Sequence, residues 1–552
     1  MLNSFPIENT VLFYRVKALG TREVFIRKTS GLVRPFGAAD LAVICAVMIL
    51  VPVTATVNIN WFWGFNPGAD FVGSMLLALL ATVLLCICYW AITLSMPRSG
   101  SDYVWFARIG HPALGFAWSL VYWYVVLLEA FIVGVTFMIT FGLSSTFLVW
   151  GTLYNAPAMV DLATTLSSPV GSYILAFVVL SIYSLFAIWG HKLGKAILYV
   201  GWVSASVFFI LLWVIMFTSN PATFAGKWNT LMSSYVTYQG VFDAAKSAGW
   251  AVTPITLTAT LGSATFTFML MAGTTAGVGT ITGEIRTVNR SVPIAILISN
   301  LFAVVTWSLT AVGLTNATGY DWMMAMSWMW DNGSKYPLPW PPSMPLMAGI
   351  LTYPNMALTF LLLATYLVGS IAVLWAFIMA FARYFFAWAF DRLIPTKFAD
   401  VSSRFKTPHW AIAATWLLAV ITAYLYAFTG FSNAFAAGST VMVVLWGILA
   451  CAIVIFPFTK WKTLLDQLPT FMRKRVGIPV ISWVGVVTAI IMFYAAYGVA
   501  LNPLLTPVTA PLTAEFSVGV FVLGVVIYYL AKWYNNRQGI DISLIFREVP
   551  PT

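Results

Sequence analysis

The sequence predicts an all-α polytopic membrane protein of about twelve transmembrane helices, and three observations carry that prediction. Hydrophobic residues make up 61% of the 552-residue chain and charged residues only 8%, whereas a soluble domain carries about 25% charged residues. No soluble surface can be built from so few charges. The apolar runs are continuous and long, as in 76–92 and 350–382. Membrane barrel strands instead alternate over about ten residues, so these runs must be helices, which satisfy their own backbone groups in lipid. The length accommodates roughly twelve spans of about 20 residues with their loops.

In chain order, residues 1–37 are polar and basic and read as a cytoplasmic tail without a cleavable leader. Spans are predicted at about 38–62, 71–95, 114–142, 171–190, 194–217, 259–282, 292–315, 350–383, 409–429, 433–457, 479–500 and 516–534. The organisation expected is a five-helix repeat over 38–217, a loop over 218–258, and a second five-helix repeat over 259–457 that contains the loop 316–349. Helices 11 and 12 then fill 458–534, and 535–552 form a C-terminal tail. Of the 28 Lys and Arg residues, all but Lys227, Lys246 and Lys335 fall in segments on one side. Basic loops stay cytoplasmic, which places both termini in the cytoplasm and the protein in the plasma membrane. The net charge of +11 is then explained by attraction to anionic lipid heads, not by nucleic acid. The opposite loops are rich in aromatics. Trp322, Trp328, Trp330 and Trp340 read as an interfacial belt and folded cap, with a protein-docking surface as the alternative. Two glycosylation sequons, starting at Asn316 and Asn332, lie in the same loop.

Two spans carry residues that oppose a straight helix. Span 1 holds Val51, Pro52, Val53 and Thr54 inside its apolar run. Proline has no N–H and clashes one turn back. Span 6 holds Gly273, Thr274, Thr275, Ala276, Gly277, Val278 and Gly279, a glycine-rich stretch that makes a poor helix. A kink and a packing seam are the plain alternatives. Breaks opening spans 1 and 6 are what an inverted five-plus-five repeat uses to bind substrate near the midplane. The substrate-binding expectation therefore falls on Val51, Pro52, Val53, Thr54, Gly273, Thr274, Thr275 and Gly277.

Glu129 is the acid deepest inside a span. A charge there costs at least ~2.5 kcal/mol, so the carboxyl should be protonated, paired or facing water, which suits a proton carrier. Asp40, at the start of span 1, reads as a helix-start residue favoured by the dipole. The four cysteines, Cys45, Cys86, Cys88 and Cys451, lie in spans and read as core fillers. No zinc-type or haem-type spacing is present, so no cofactor is expected.

Several segments now resemble one family. Pro97-Arg98-Ser99-Gly100-Ser101-Asp102-Tyr103 is similar to the Pro-Arg-Ser-Gly-Gly-Asp-Tyr signature of amino acid–polyamine–organocation permeases. Gly283-Glu284-Ile285-Arg286, continuing to Pro293, resembles the end of their sixth span. Arg383 through Asp391 and Arg392 to Pro395 resembles their Arg-x-x-x-Ala-x-Ala-x-Asp-Gly-x-Leu-Pro, and Lys406-Thr407-Pro408 and Ile188-Trp189-Gly190 fit as well. The resemblance implies a leucine-transporter-like fold of two inverted five-helix repeats plus two C-terminal helices. It implies an amino acid or related amine as substrate, with H+ or Na+ as the coupling ion. A sodium site of the family type would draw on Thr365 and Ser370. Where the family has Gly-Ser-Gly in span 1, this chain has Val51-Pro52-Val53, which lacks the open N–H nest for a carboxylate. That shifts the expected substrate toward amines or neutral, atypical amino acids. Transport by alternating access is the leading expectation. The alternative is a non-transporting accessory subunit that keeps the permease fold.

Overall fold

The structure is a computed structural model that describes residues 31–49, 52–332, 336–339, 341–431, 437–501 and 510–548. It also describes the paired two-residue strands Val16–Lys17 and Glu23–Val24. Val51 lies outside the described residues, as do the side chains of Thr274 and Thr275.

Among the described residues, eleven helices are long and apolar enough to cross a membrane. The bent pair Ala38–Met48 and Pro52–Phe65 makes a twelfth, span 1. Spans 2 to 7 are Phe71–Ser95, Pro112–Leu153, Pro169–Ile188, His191–Phe217, Leu257–Thr280 and Val288–Thr318. Spans 8 to 12 are Met356–Phe390, His409–Phe428, Gly438–Phe458, Val480–Leu501 and Pro511–Arg537. The chain is thus an all-α, multi-pass membrane protein.

Local chemistry sets the span ends. Asp70 accepts the Gly73 N–H at 2.8 Å to open span 2, and Thr256 caps span 6. Ser168 caps span 4, with Pro169 at its first position. Gly190 turns the chain between spans 4 and 5 at φ +106°, a conformation open to glycine. Span 8 starts later than the expected residue 350. A separate helix, Met344–Thr352, ends before Pro354, and Asn355 caps the restart by accepting the Leu358 N–H at 3.1 Å.

The packing partners exchange as an inverted repeat requires. Span 2 packs on span 6, and span 7 on the first half of span 1. Span 5 packs on span 8, and span 10 on span 3; spans 2 and 7, and spans 4 and 9, pair with each other. Span 12 lies along span 3, and span 11 along span 10. Span 3 is interrupted by two π-helical stretches, Tyr122–Leu128 and Met138–Ser144, a geometry that occurs mostly as single turns at functional sites.

On the face away from the termini, short helices form the expected cap. Trp322 is fully enclosed there, stacked on Tyr238 with ring centres 5.4 Å apart and edge-on to Trp228 at 4.8 Å. The Asn316 amide is held by the carbonyls of Met216 and Ser219 at 3.2 and 3.1 Å. Cys451 is exposed on its span, whereas Cys45 and Cys88 are buried.

Candidate functional site

The two halves of span 1 meet at 42°. Pro52 opens the second half, Pro52–Phe65, where its missing N–H removes nothing. The next N–H, on Val53, belongs to a first helical turn and has no partner within its own helix. Ser370 of span 8 supplies one, its Oγ accepting the Val53 N–H at 3.3 Å while donating to the Tyr366 carbonyl at 2.7 Å. Tyr366, one turn earlier, donates its hydroxyl to the Phe141 carbonyl of span 3 at 3.2 Å. The Thr56 hydroxyl lies 3.2 Å from the same phenol oxygen and also donates to the Pro52 carbonyl at 3.1 Å. Gly142, inside the second π-helical stretch, lets span 3 approach: a Cβ there would stand 3.3 Å from Val53 Cγ2. Spans 1, 3 and 8 are thereby tied at the bend.

Span 6 differs from the expectation. It is α-helical without interruption from Leu257 to Thr280, so Gly273 to Gly277 form no unwound break. Each glycine costs a helix roughly 1 kcal/mol relative to alanine. A peptide group freed inside a membrane protein has no bulk water to bond, and each unsatisfied group there costs several kcal/mol. The helix therefore survives. The two named glycines play different parts. Gly277 is a packing position, because a Cβ there would lie 2.5 Å from Met48 Cε of span 1. At Gly273 a Cβ would meet no atom of another element within 4 Å among the described residues.

The remaining expected residues separate. Val53 and Pro52 are buried and Thr54 is half-buried. Thr365 is half-buried and donates its hydroxyl to the Leu361 carbonyl of its own helix at 2.7 Å. Glu129 lies thirteen residues before Gly142 along span 3, about 20 Å at ~1.5 Å per residue, away from the Val53–Ser370 contact. It directly follows the first π-helical stretch and faces the start of span 10, where a Cβ on Gly438 would stand 3.4 Å from its Oε2.

Other residues at the bend have no counterpart among the sequence-based candidates. Tyr366 and Thr56 complete the hydrogen-bond chain at Ser370. Asn58 is 0% exposed, and neither its amide nitrogen nor its oxygen has a hydrogen-bond partner among the described residues. On span 6 the hydroxyls of Ser263 and Thr267, one turn apart, are equally buried and equally unpaired. The signal in the sequence was the run of alternate polar residues Thr54, Thr56, Asn58 and Asn60 in the second half of span 1.

A second cluster closes the face that carries the termini. The segments that carried the family resemblance interlock there. Arg383 of span 8 holds Glu284, just after span 6, through Nε and a terminal nitrogen at 2.7 and 2.8 Å, both side chains fully buried. His191 Nε2 stands 3.6 Å from the same carboxylate. Arg108 makes a two-point contact with Asp391 at 2.9 Å each, and the Tyr103 hydroxyl donates to Asp391 at 2.6 Å. Gly100, at φ +92°, donates its N–H to the Thr280 carbonyl at 3.1 Å. The chain before span 1 is clamped as well. Phe36 N–H bonds the Glu284 carbonyl, and Arg286 N–H bonds the Phe36 carbonyl. Asp40 both accepts from Gly37 N–H at 3.0 Å and pairs with Lys195 at 2.6 Å.

This arrangement of a bent first span, exchanged packing pairs and interlocked loops has a counterpart in sequence families. The family model described as amino acid permease matches residues 45–544. The chain belongs to the amino acid permease family. No curated protein matches it. The match covers all but the termini, so it takes in both the bend at Pro52 and the loop cluster. The permease is thus a multi-pass membrane transporter of the amino acid permease type.

Proposed function

We propose that the permease is a secondary active transporter of amino acids or related amines, working by alternating access across the plasma membrane with both termini cytoplasmic. The observation that carries this reading is the bend at Pro52, where the start of the second half of span 1 meets span 8 through two side-chain hydrogen bonds, Val53 to Ser370 and Thr56 to Tyr366. A half-helix attached this way can swing with a modest change in hydrogen bonding. The buried Arg383–Glu284 and Arg108–Asp391 pairs hold the terminal face shut, so transport requires those pairs to part. Substrate would contact Pro52, Val53 and Thr54 on span 1 and Gly273 on span 6, with Thr274 and Thr275 beside it. Gly277 is taken up in packing against Met48. Ser370 supports the hinge, and Glu129 is the group proposed to carry a coupling proton. The asymmetry of Lys and Arg supports the orientation.

The test is uptake into proteoliposomes of labelled neutral amino acids, basic amino acids and amines, with and without imposed proton and sodium gradients. Saturable uptake driven by a proton gradient, lost in Glu129→Gln with facilitated exchange retained, is expected. Absence of uptake for every solute, together with a stable protein partner copurifying, would favour the accessory-subunit alternative.

A further inference from the structure

Asn58 and Phe65 lie seven residues apart on one face of the second half of span 1, and Phe266 and Gly273 share a face of span 6 in the same way. The Phe65 and Phe266 rings meet with centres 6.1 Å apart. The two helices run antiparallel. Thr256 N–H bonds the Gly68 carbonyl at 2.9 Å, and a Cβ on Gly262 would stand 3.4 Å from Asn66 Oδ1. Two turns deeper, Asn58 lies on the face of span 1 that carries Phe65, and Gly273, a glycine whose Cβ position is open among the described residues, lies on the face of span 6 that carries Phe266. Asn58 is wholly enclosed, yet among the described residues both ends of its amide are unpaired. A carboxamide can make up to four hydrogen bonds, and leaving a buried polar group unmet costs about 1–3 kcal/mol. Nothing charged stands on either helix: 52–65 and 257–280 contain no Asp, Glu, Lys, Arg or His.

We propose that Asn58 is the specificity-determining residue of the transport site, and that it reads an uncharged donor–acceptor group on a solute of no net charge. The inference rests on the transport reading above and narrows it. An amide both donates and accepts, so it matches a carboxamide or hydroxyl end. A polyamine or basic side chain placed here would find no counter-charge on either facing helix, and an unpaired charge out of water is penalised far more than an unpaired dipole. A site built around a polar partner discriminates strongly against analogues that lack the group.

The experiment compares wild type, Asn58→Leu and Asn58→Asp, purified in detergent, by thermal melting. The panel is asparagine, glutamine, serine, leucine, lysine and putrescine, with competition for uptake as a second readout. Wild type should be stabilised most by glutamine, asparagine or serine. Asn58→Leu should lose that preference by about tenfold in apparent affinity and turn toward leucine. Asn58→Asp should gain lysine or putrescine. Without solute, Asn58→Leu should melt at or above wild type, because an unpaired amide has been removed. A clear fall in its melting temperature would mean the amide is structural and would overturn the proposal. So would a solute ranking that Asn58→Leu leaves unchanged, and so would a wild type that prefers putrescine. A wild type stabilised by no solute overturns the transport reading together with this one, whereas an unchanged ranking overturns this one alone.

Discussion

Ser370 shows how a single hydroxyl can hold a hinge. Its Oγ is the acceptor for the Val53 N–H, a group the helix start leaves without an internal partner. Ser370→Ala should therefore destabilise the permease by about 1–3 kcal/mol, the cost of an unmet buried donor, measured as a lower melting temperature in detergent. Asp331 makes a different prediction. It ends the cap helix Tyr320–Asp331, outside the spans, with Oδ2 buried and unpaired. Burial pushes its carboxyl up to about 8 from an ordinary value of 3.8. A raised folded value means the neutral form is preferred in the native state, so its contribution is fully present below the unfolded value and is lost as pH rises through about 8. Melting temperature should fall as pH rises from about 4 to about 8, and Asp331→Asn should flatten the fall.

At the scale of an element, spans 1 and 6 respond oppositely to sequences that both disfavour helix. In span 1 the proline lies where two half-helices can each close their own bonds, and the bend follows. In span 6 the glycines weaken the helix without removing any N–H, and the helix runs through. Pro52→Ala should restore a donor, straighten the span and raise the melting temperature while reducing uptake. Gly273→Leu should leave the melting temperature near wild type, since among the described residues no atom of another element lies within 4 Å of the new Cβ, yet block uptake by filling that space. Equal losses of stability and uptake would instead mark Gly273 as a packing glycine. The π-helical turns of span 3 belong to this scale too. They position Gly142 against Val53, and one of them ends at Glu129.

For the whole molecule, the ion pairs on the terminal face matter most. Arg383 and Glu284 are both fully buried. Removing one partner leaves the other charged and unmatched, which costs about 3–5 kcal/mol, whereas replacing both with apolar residues is often near neutral. Arg383→Leu and Glu284→Leu should each be poorly stable, and the double variant should recover most of the loss in a double-mutant cycle of melting temperatures. Additive losses would mean the two side chains act independently. If these pairs hold the face shut, the double variant should also make a cysteine placed at Ser99 more reactive to a water-soluble thiol reagent.

The sequence by itself determined about twelve spans and their order; it marked spans 1 and 6 alike as interrupted, and only the structure shows span 1 bent and span 6 continuous. A membrane admits only helices of about 20 residues, and proline acts on its own helix wherever that helix lies. It also held the loop motifs, such as Glu284 and Arg383, as separate segments. That these two meet, that Ser370 receives Val53 and that Thr365 serves only its own helix were decided by tertiary packing. The same holds for Asn58, whose burial without a partner depends on which helices surround it. Hydrogen bonds between spans depend on crossing angles and register, set by contacts hundreds of residues apart, and periodicity along one helix carries no record of them.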